Sequence, residues 1–362
     1  MNSRSMTSTR TARSLIGGIV FTAVIGLTLV ACTNTGTTPS GTTGAGAEQT
    51  VKASSGPTCS LADYKGTKID LKDAIVGFSQ SEKEDNPFRI AETKSITDEA
   101  AKAGVKKFIK TNAQSTLSKQ ISDIQDLISQ GAQVLIVAPL NSDGLEPALA
   151  SARAKNIPVL TIDRKLNATA CTDYVAFLGS DFIEQGKRAA DQLIKGTGAK
   201  GNVAILLGAS GNGVTTDRTK GFVDEMAASA PAIKIVAKQT GNFDRATGQS
   251  VTEQLLQAHP EITAIYAEND EMGLGAQAAI IAAGKSPGKD IQIYSVDGTK
   301  NAVQQIVAGA YNGVIESNPR FGALAFATLK SFLGGTAVGQ SIVIDDSEYT
   351  PTNAAKKVDS AF

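Results

Sequence analysis

The residues best placed for chemistry in this chain stand at the ends of its short apolar runs. Ile162 is followed by Asp163 and Arg164, Val296 by Asp297, Ala267 by Glu268, Asn269 and Asp270, and Ile315 by Glu316. The run 74–78 leads into Ser79, Gln80 and a polar loop that holds Asp85 and ends at Phe88 and Arg89. The run 203–207 leads through a glycine-rich loop to Arg218, and 233–237 leads to Asn242, Phe243, Asp244 and Arg245. Carboxylates only accept and guanidiniums only donate, so a set holding both can grip groups that do both, hydroxyls above all. Such charge-assisted bonds are shorter and stronger than neutral ones, which offsets the water the ligand gives up. Each residue also has a plainer reading. Asp163 and Arg164 could be a surface ion pair, Arg218 a solvated charge and Phe243 a core residue. Lone carboxylates such as Asp73 and Glu92 read as solvated faces. Repetition of the pattern at nearly every strand end favours a site.

The parts of a reaction centre are missing. The sole histidine, His259, sits before Pro260 at a helix end, where a cap or surface role is expected. There is no Gly-x-Ser-x-Gly elbow and no His/Cys cluster with metal spacing, and the loop 208–213 lacks the Lys-Ser/Thr ending of a phosphate loop. Binding without turnover, cofactor or metal is the expectation. The 35 basic and 35 acidic residues balance, so nothing calls for nucleic acid.

These residues need a frame, and the chain supplies β/α alternation. Strands are expected over 74–78, 106–110, 134–138, 158–162, 174–178, 203–207, 233–237, 264–267 and 291–296. Helical stretches over 88–103, 117–130, 145–154, 182–194, 217–228, 247–258 and 272–283 separate them. Residues 134–138 are apolar on both faces, as a buried parallel strand requires. The fold class is α/β, and the length suits two doubly wound parallel-sheet lobes. In such sheets the ligand crevice lies beyond the carboxyl ends of the strands, where the polar residues stand.

Ahead of this body comes an export signal. Arg4, Arg10 and Arg13 flank an apolar stretch over 15–30 that ends in Leu29-Val30-Ala31-Cys32. The order apolar, apolar, small, Cys resembles the bacterial lipoprotein box, which implies cleavage after Ala31 and a lipid on Cys32. Residues 32–57, rich in Gly, Thr, Ser and Ala, read as a flexible tether. The mature protein is expected outside the cytoplasmic membrane, held to its outer face by lipid alone. Cys59 and Cys171 are then left over, a plausible disulfide in an exported protein, with two free thiols the alternative.

As an ordered set, "IDR" at 162–164, "DRTKGF" at 217–222, "GNFDR" at 241–245, "END" at 268–270 and "VDG" at 296–298 resemble the sugar-binding proteins of bacterial ABC importers. The resemblance is to the ribose- and galactose-type periplasmic binding proteins and covers residues 75–333. "GFSQ" at 77–80, Arg89, "APL" at 138–140 and "GKDI" at 288–291 are most similar to the galactofuranose-binding members, although Phe88 stands where those carry tryptophan. The resemblance implies a type I fold with three crossovers, near 179–180, 316–317 and 345–346. One lobe would comprise 58–178 and 318–345, the other 179–317 and 346–362. It further implies that Asp163, Arg164, Arg218, Asn269 and Asp297 bond a monosaccharide, that Phe243 packs on its ring, and that Phe88 and Arg89 lie in the loop that varies between sugars. Gln80, Asp85 and Glu316 complete the expected ligand set. The implied partners are a monosaccharide and the permease subunits of an ABC transporter, with the protein itself a monomer. A receptor presenting sugar to a membrane sensor or chemoreceptor would use the same surfaces. A transcriptional repressor would need a DNA-binding segment where this chain has a signal and tether.

Overall fold

A computed structural model of the chain describes residues 49–52 and 56–362. The expected signal segment 1–31, the lipid site Cys32 and most of the tether lie outside the described residues. The chain begins with β1 (Thr58–Cys59) and builds β2 (Ile75–Gln80), α1 (Pro87–Ala103), β3 (Lys107–Asn112), α2 (Leu117–Ser129), β4 (Val134–Val137), α3 (Glu146–Ala154), β5 (Val159–Ile162) and β6 (Ala176–Gly179). There follow α4 (Phe182–Thr197), β7 (Asn202–Leu207), α5 (Gly213–Ser229), β8 (Lys234–Thr240), α6 (Arg245–Ala258), β9 (Ala264–Ala267), α7 (Asp270–Ala282), β10 (Gln292–Asp297), α8 (Lys300–Val307) and β11 (Gly313–Glu316). The last elements are α9 (Gly322–Leu333), β12 (Val338–Gly339), β13 (Ser341–Val343), β14 (Glu348–Tyr349) and α10 (Ala354–Lys357).

Two six-stranded sheets result, in the orders β13-β6-β5-β4-β2-β3 and β14-β11-β10-β9-β7-β8. Every pairing within them is parallel except β14 with β11. This is the two-lobe α/β arrangement that the alternation of apolar runs predicts. Strands such as β4 and β9 are buried on both faces because helices cover each sheet from both sides. Apolar clusters fill both faces of both sheets. The chain passes between the sheets three times: from β6 to α4, from β11 to α9, and from β13 to β14.

Several boundaries differ from the sequence expectation, with local causes. Helix α5 starts at Gly213 rather than at residue 217, because the Asn212 side chain accepts the Val214 N–H and caps it early. Arg218 therefore lies in the second turn, not at the helix start. Strand β8 runs on to Thr240, paired with β7 as far as Leu207. Cys59 and Cys171 are joined by a disulfide, their Cα atoms 5.3 Å apart, which ties the segment before β2 to the loop between β5 and β6. Among the described residues no helix is long and apolar enough to cross a membrane.

Candidate functional site

Between the lobes, beyond the carboxyl ends of both sets of strands, lies a cleft with about 40 Å³ of free volume. Glu82, Asn86, Phe88, Arg89, Asp163 and Arg164 line it from the first lobe, and Val214, Arg218, Phe243, Asn269 and Asp297 from the second. The lobes meet at its mouth, where Asn212 Nδ2 donates to the Leu140 carbonyl at 3.3 Å.

The first-lobe wall is a mesh of charges. Asn86 caps α1 by accepting the Arg89 N–H at 2.9 Å, and Pro87 starts the helix, so the Arg89 side chain is delivered at the end of β2. Arg89 Nε donates to Glu82 at 2.9 Å, and its Nη1 lies 2.7 Å from Glu92 and 2.8 Å from Asp163. Arg164 Nη2 grips the other Glu82 oxygen at 2.7 Å, and its Nη1 donates to the Leu140 carbonyl at 3.0 Å. Burial alone would raise the Glu82 carboxyl, but Arg164 and Arg89 overcome it and hold the group at about 2. Burial instead pushes Glu92 up to about 7 despite Arg89. Among the described residues the buried Arg164 Nε has no hydrogen-bond partner, standing 3.6 Å from Asp163 Oδ2, which Arg89 Nη1 holds at 2.8 Å. Such a donor costs ~1–3 kcal/mol when left bare. On the wall of the cleft, it is an unfilled donor.

The second-lobe wall is set by backbone. Asp297 ends β10 at φ 137°, and Asp270 holds the turn after it by accepting from Gly298 N, Thr299 N and Thr299 Oγ1. Asn242 and Phe243 are both left-handed, at φ 58° and 59°. Asp163, on the opposite wall, is also left-handed at φ 65°. Backbone strain of this kind at ~1–3 kcal/mol per residue collects at functional sites. The Phe243 ring is seated against Gly208, where a Cβ would lie 2.0 Å from the ring edge. Asn269 caps α7 through Met272 N and donates to the Phe243 carbonyl at 3.1 Å. Arg218 Nε donates to Gln185 at 3.0 Å and Nη1 to the Glu268 carbonyl at 2.5 Å, leaving Nη2 3.7 Å from Asp297. Burial drives the Asp297 carboxyl well up, against the pull of Arg218.

Eight of the eleven residues expected at the site line this cleft, and three stand elsewhere. Gln80 is buried behind it, donating to Glu92 and Thr93, because the last residue of β2 faces α1. Asp85 is exposed on the loop before α1. Glu316 lies at the second crossover, where it accepts from Ser347 N and Tyr349 Oη. Glu92 is no solvated face: it is fully buried beneath Arg89. Sequence reasoning also missed Glu82, Asn86 and Val214 in the lining and Gln185 behind Arg218. Asn86 had a signal, since Asn-Pro marks a helix start. Glu82 is one of six consecutive polar residues over 81–86, and nothing in the sequence says which of them turns inward. The described residues hold no group of acidic, His or Cys side chains suited to a metal ion.

Residues 76–337 match the family model described as periplasmic binding protein domain. The ribose import binding protein of Bacillus subtilis is 37% identical over 272 residues, 75% of this chain and 85% of that protein. The galactofuranose-binding protein of Escherichia coli is 34% identical over 289 residues, 78% of this chain and 90% of that one. A solved structure, the binding component of the arabinose ABC transporter from Shewanella sp. ANA-3 bound to L-arabinofuranose, superposes with a TM-score of 0.75 at 33% identity, covering 78% of this chain and 94% of that one. With its two parallel-sheet lobes and the cleft between them, this chain belongs to the periplasmic binding protein family.

Proposed function

We propose that this protein captures a neutral monosaccharide in furanose form between its lobes and delivers it to the permease of an ABC importer, without turnover. The observation that carries the reading is the composition of the cleft: three guanidiniums, three carboxylates, two amides and two aromatic rings from two lobes. Carboxylates and guanidiniums serve hydroxyls that donate and accept, and Phe243 offers a flat surface to the C–H face of a ring. The unfilled Arg164 Nε gives a hydroxyl its first donor. Neither lobe offers the whole set, so ligand favours the closed state by the difference. The names of the relatives, which bind ribose, galactofuranose and arabinofuranose, support the same class. The ligand set proposed is Phe88, Arg89, Asp163, Arg164, Arg218, Phe243, Asn269 and Asp297. Lipid on Cys32 would keep the receptor at the outer face of the membrane.

A thermal-shift screen tests the class, since a ligand bound only by the folded state stabilises by RT ln(1 + [L]/Kd). Ribose, arabinose, galactose and a galactofuranoside are compared with amino acids and short peptides. At least one of the sugars should raise the melting temperature, and the amino acids and peptides should not. Stabilisation by an amino acid or peptide, with none by any sugar, would refute the ligand class.

A further inference from the structure

Glu82 occupies the seat that a ligand carboxylate would take. Its two oxygens are held by two different guanidiniums, Arg164 Nη2 at 2.7 Å and Arg89 Nε at 2.9 Å, at the edge of the cleft it lines. A pair of arginine forks facing a cleft is ordinarily a receptor for carboxylate or phosphate, because the planar donors match those anions. Here the anion is part of the chain.

The charges around the cleft show what this does. Arg89, Arg164 and Arg218 are countered within the lining by Glu82, Asp163 and Asp297. Glu92 lies beneath Arg89, beside Gln80 and Thr93, and adds no positive charge. Burial pushes Asp297 and Glu92 upward, toward the uncharged form. Glu82 is held down at about 2 and has no such escape. An anionic ligand would have to sit against it with Arg89 and Arg164 already engaged. A neutral ligand meets no such repulsion and still finds Arg164 Nε free to bond.

We propose that Glu82 is the specificity residue that restricts this cleft to neutral sugars, an internal carboxylate seated on Arg89 and Arg164 that shuts out sugar acids of the same size. The proposal rests on the monosaccharide reading above and goes further by assigning the excluded class and the residue responsible.

Calorimetry on the folded domain tests it with ring-matched pairs: galactose against galacturonate, and arabinose against arabinuronate. Wild type is expected to bind the neutral member of a pair at least ~10-fold more tightly than its acid. In Glu82→Ala, which opens the seat, and in Glu82→Gln, which removes only the charge, the acid-to-neutral affinity ratio should rise by ~10-fold or more. The gained acid binding should weaken with added salt. Thermal melts establish that each variant is folded. A folded variant that binds sugar with an unchanged ratio would overturn the assignment, as would a wild type that takes acid and neutral sugar equally well. A measurement on wild type alone covers the case where neither variant folds. Discrimination should persist from about pH 8 to about pH 5, because Glu82 stays ionised there. Its collapse over that range would assign the exclusion to Glu92 or Asp297 instead. If wild type binds no monosaccharide, neutral or acidic, the sugar reading itself falls and this inference with it.

Discussion

On the first-lobe wall Glu82, Glu92 and Asp163 each lie within 2.9 Å of a guanidinium nitrogen, whereas on the second-lobe wall Arg218 comes no nearer than 3.7 Å to Asp297. Arg218 is steadied instead by the Gln185 side chain and the Glu268 carbonyl, and Asp297 by a turn that Asp270 clamps. The first wall is thus organised by charge pairing and the second by backbone and neutral hydrogen bonds. Removing a charge from the first wall leaves several buried partners bare at once. Removing one from the second leaves fewer, and its main cost is the lost bond to ligand.

The largest expected effect separates the lobes themselves. The disulfide closes a loop with a sequence separation of 112, and both its cysteines belong to the first lobe. In the chain-entropy model it contributes ~4–5 kcal/mol. Denaturant unfolding of a Cys59→Ala/Cys171→Ala variant should show that loss, located in the first lobe by hydrogen exchange. Equal loss of protection in both sheets would break the comparison.

Next come the two arginines. Arg89→Ala strands Glu92 and half of Glu82 in a buried setting and should cost ~3–5 kcal/mol of stability. Arg218→Ala leaves an amide and a carbonyl without their donor and should cost ~1–3 kcal/mol. Urea denaturation of the two variants side by side gives the contrast. An Arg218→Ala variant as unstable as Arg89→Ala would mean that the second wall is charge-organised too.

A further effect is in pH. Burial raises Glu268, beside Arg218, to about 7, and raises Asp346, at the third crossover, to about 7. A carboxyl raised in the folded state contributes stability that is full below its unfolded value and lost as pH rises through about 7. Glu82, lowered to about 2, contributes stability that is present above the ordinary carboxylate range and lost only as pH falls toward about 2. Ligand-free protein should therefore gain stability on going from about pH 8 to about pH 5.5, by up to ~1.4 kcal/mol per pH unit for each proton taken up. Glu268→Gln should flatten that slope in melting-temperature profiles. An unchanged slope would remove Glu268 from this account.

What the sequence made legible follows the same division. The strand-end rule located Asp163, Arg164, Asn269 and Asp297 because each stands within two residues of the end of an apolar run, so the fold fixes their place. Glu92 was misread for a physical reason. The buried stripe of α1 is Arg89, Glu92, Thr93, Ile96 and Ala100, three of the five polar, so apolar periodicity cannot reveal which side faces in. Glu82 and Asp85 sit three residues apart in one polar loop, and only tertiary packing decides that the first turns inward. Gln185 and Asp346 meet across the crossovers, with Gln185 Nε2 2.8 Å from Asp346 Oδ2, although 161 residues separate them. No local pattern announces a contact of that range.

The central claim is that one ligand is gripped from both lobes at once, and calorimetry on wild type, Arg164→Ala and Asp297→Ala with the best sugar from the screen tests it most directly. Each substitution removes a charged partner from a different wall. Each should cost ~2–5 kcal/mol, a loss of roughly thirtyfold or more in affinity, with the fold retained by circular dichroism. Unchanged affinity in both folded variants would contradict the claim.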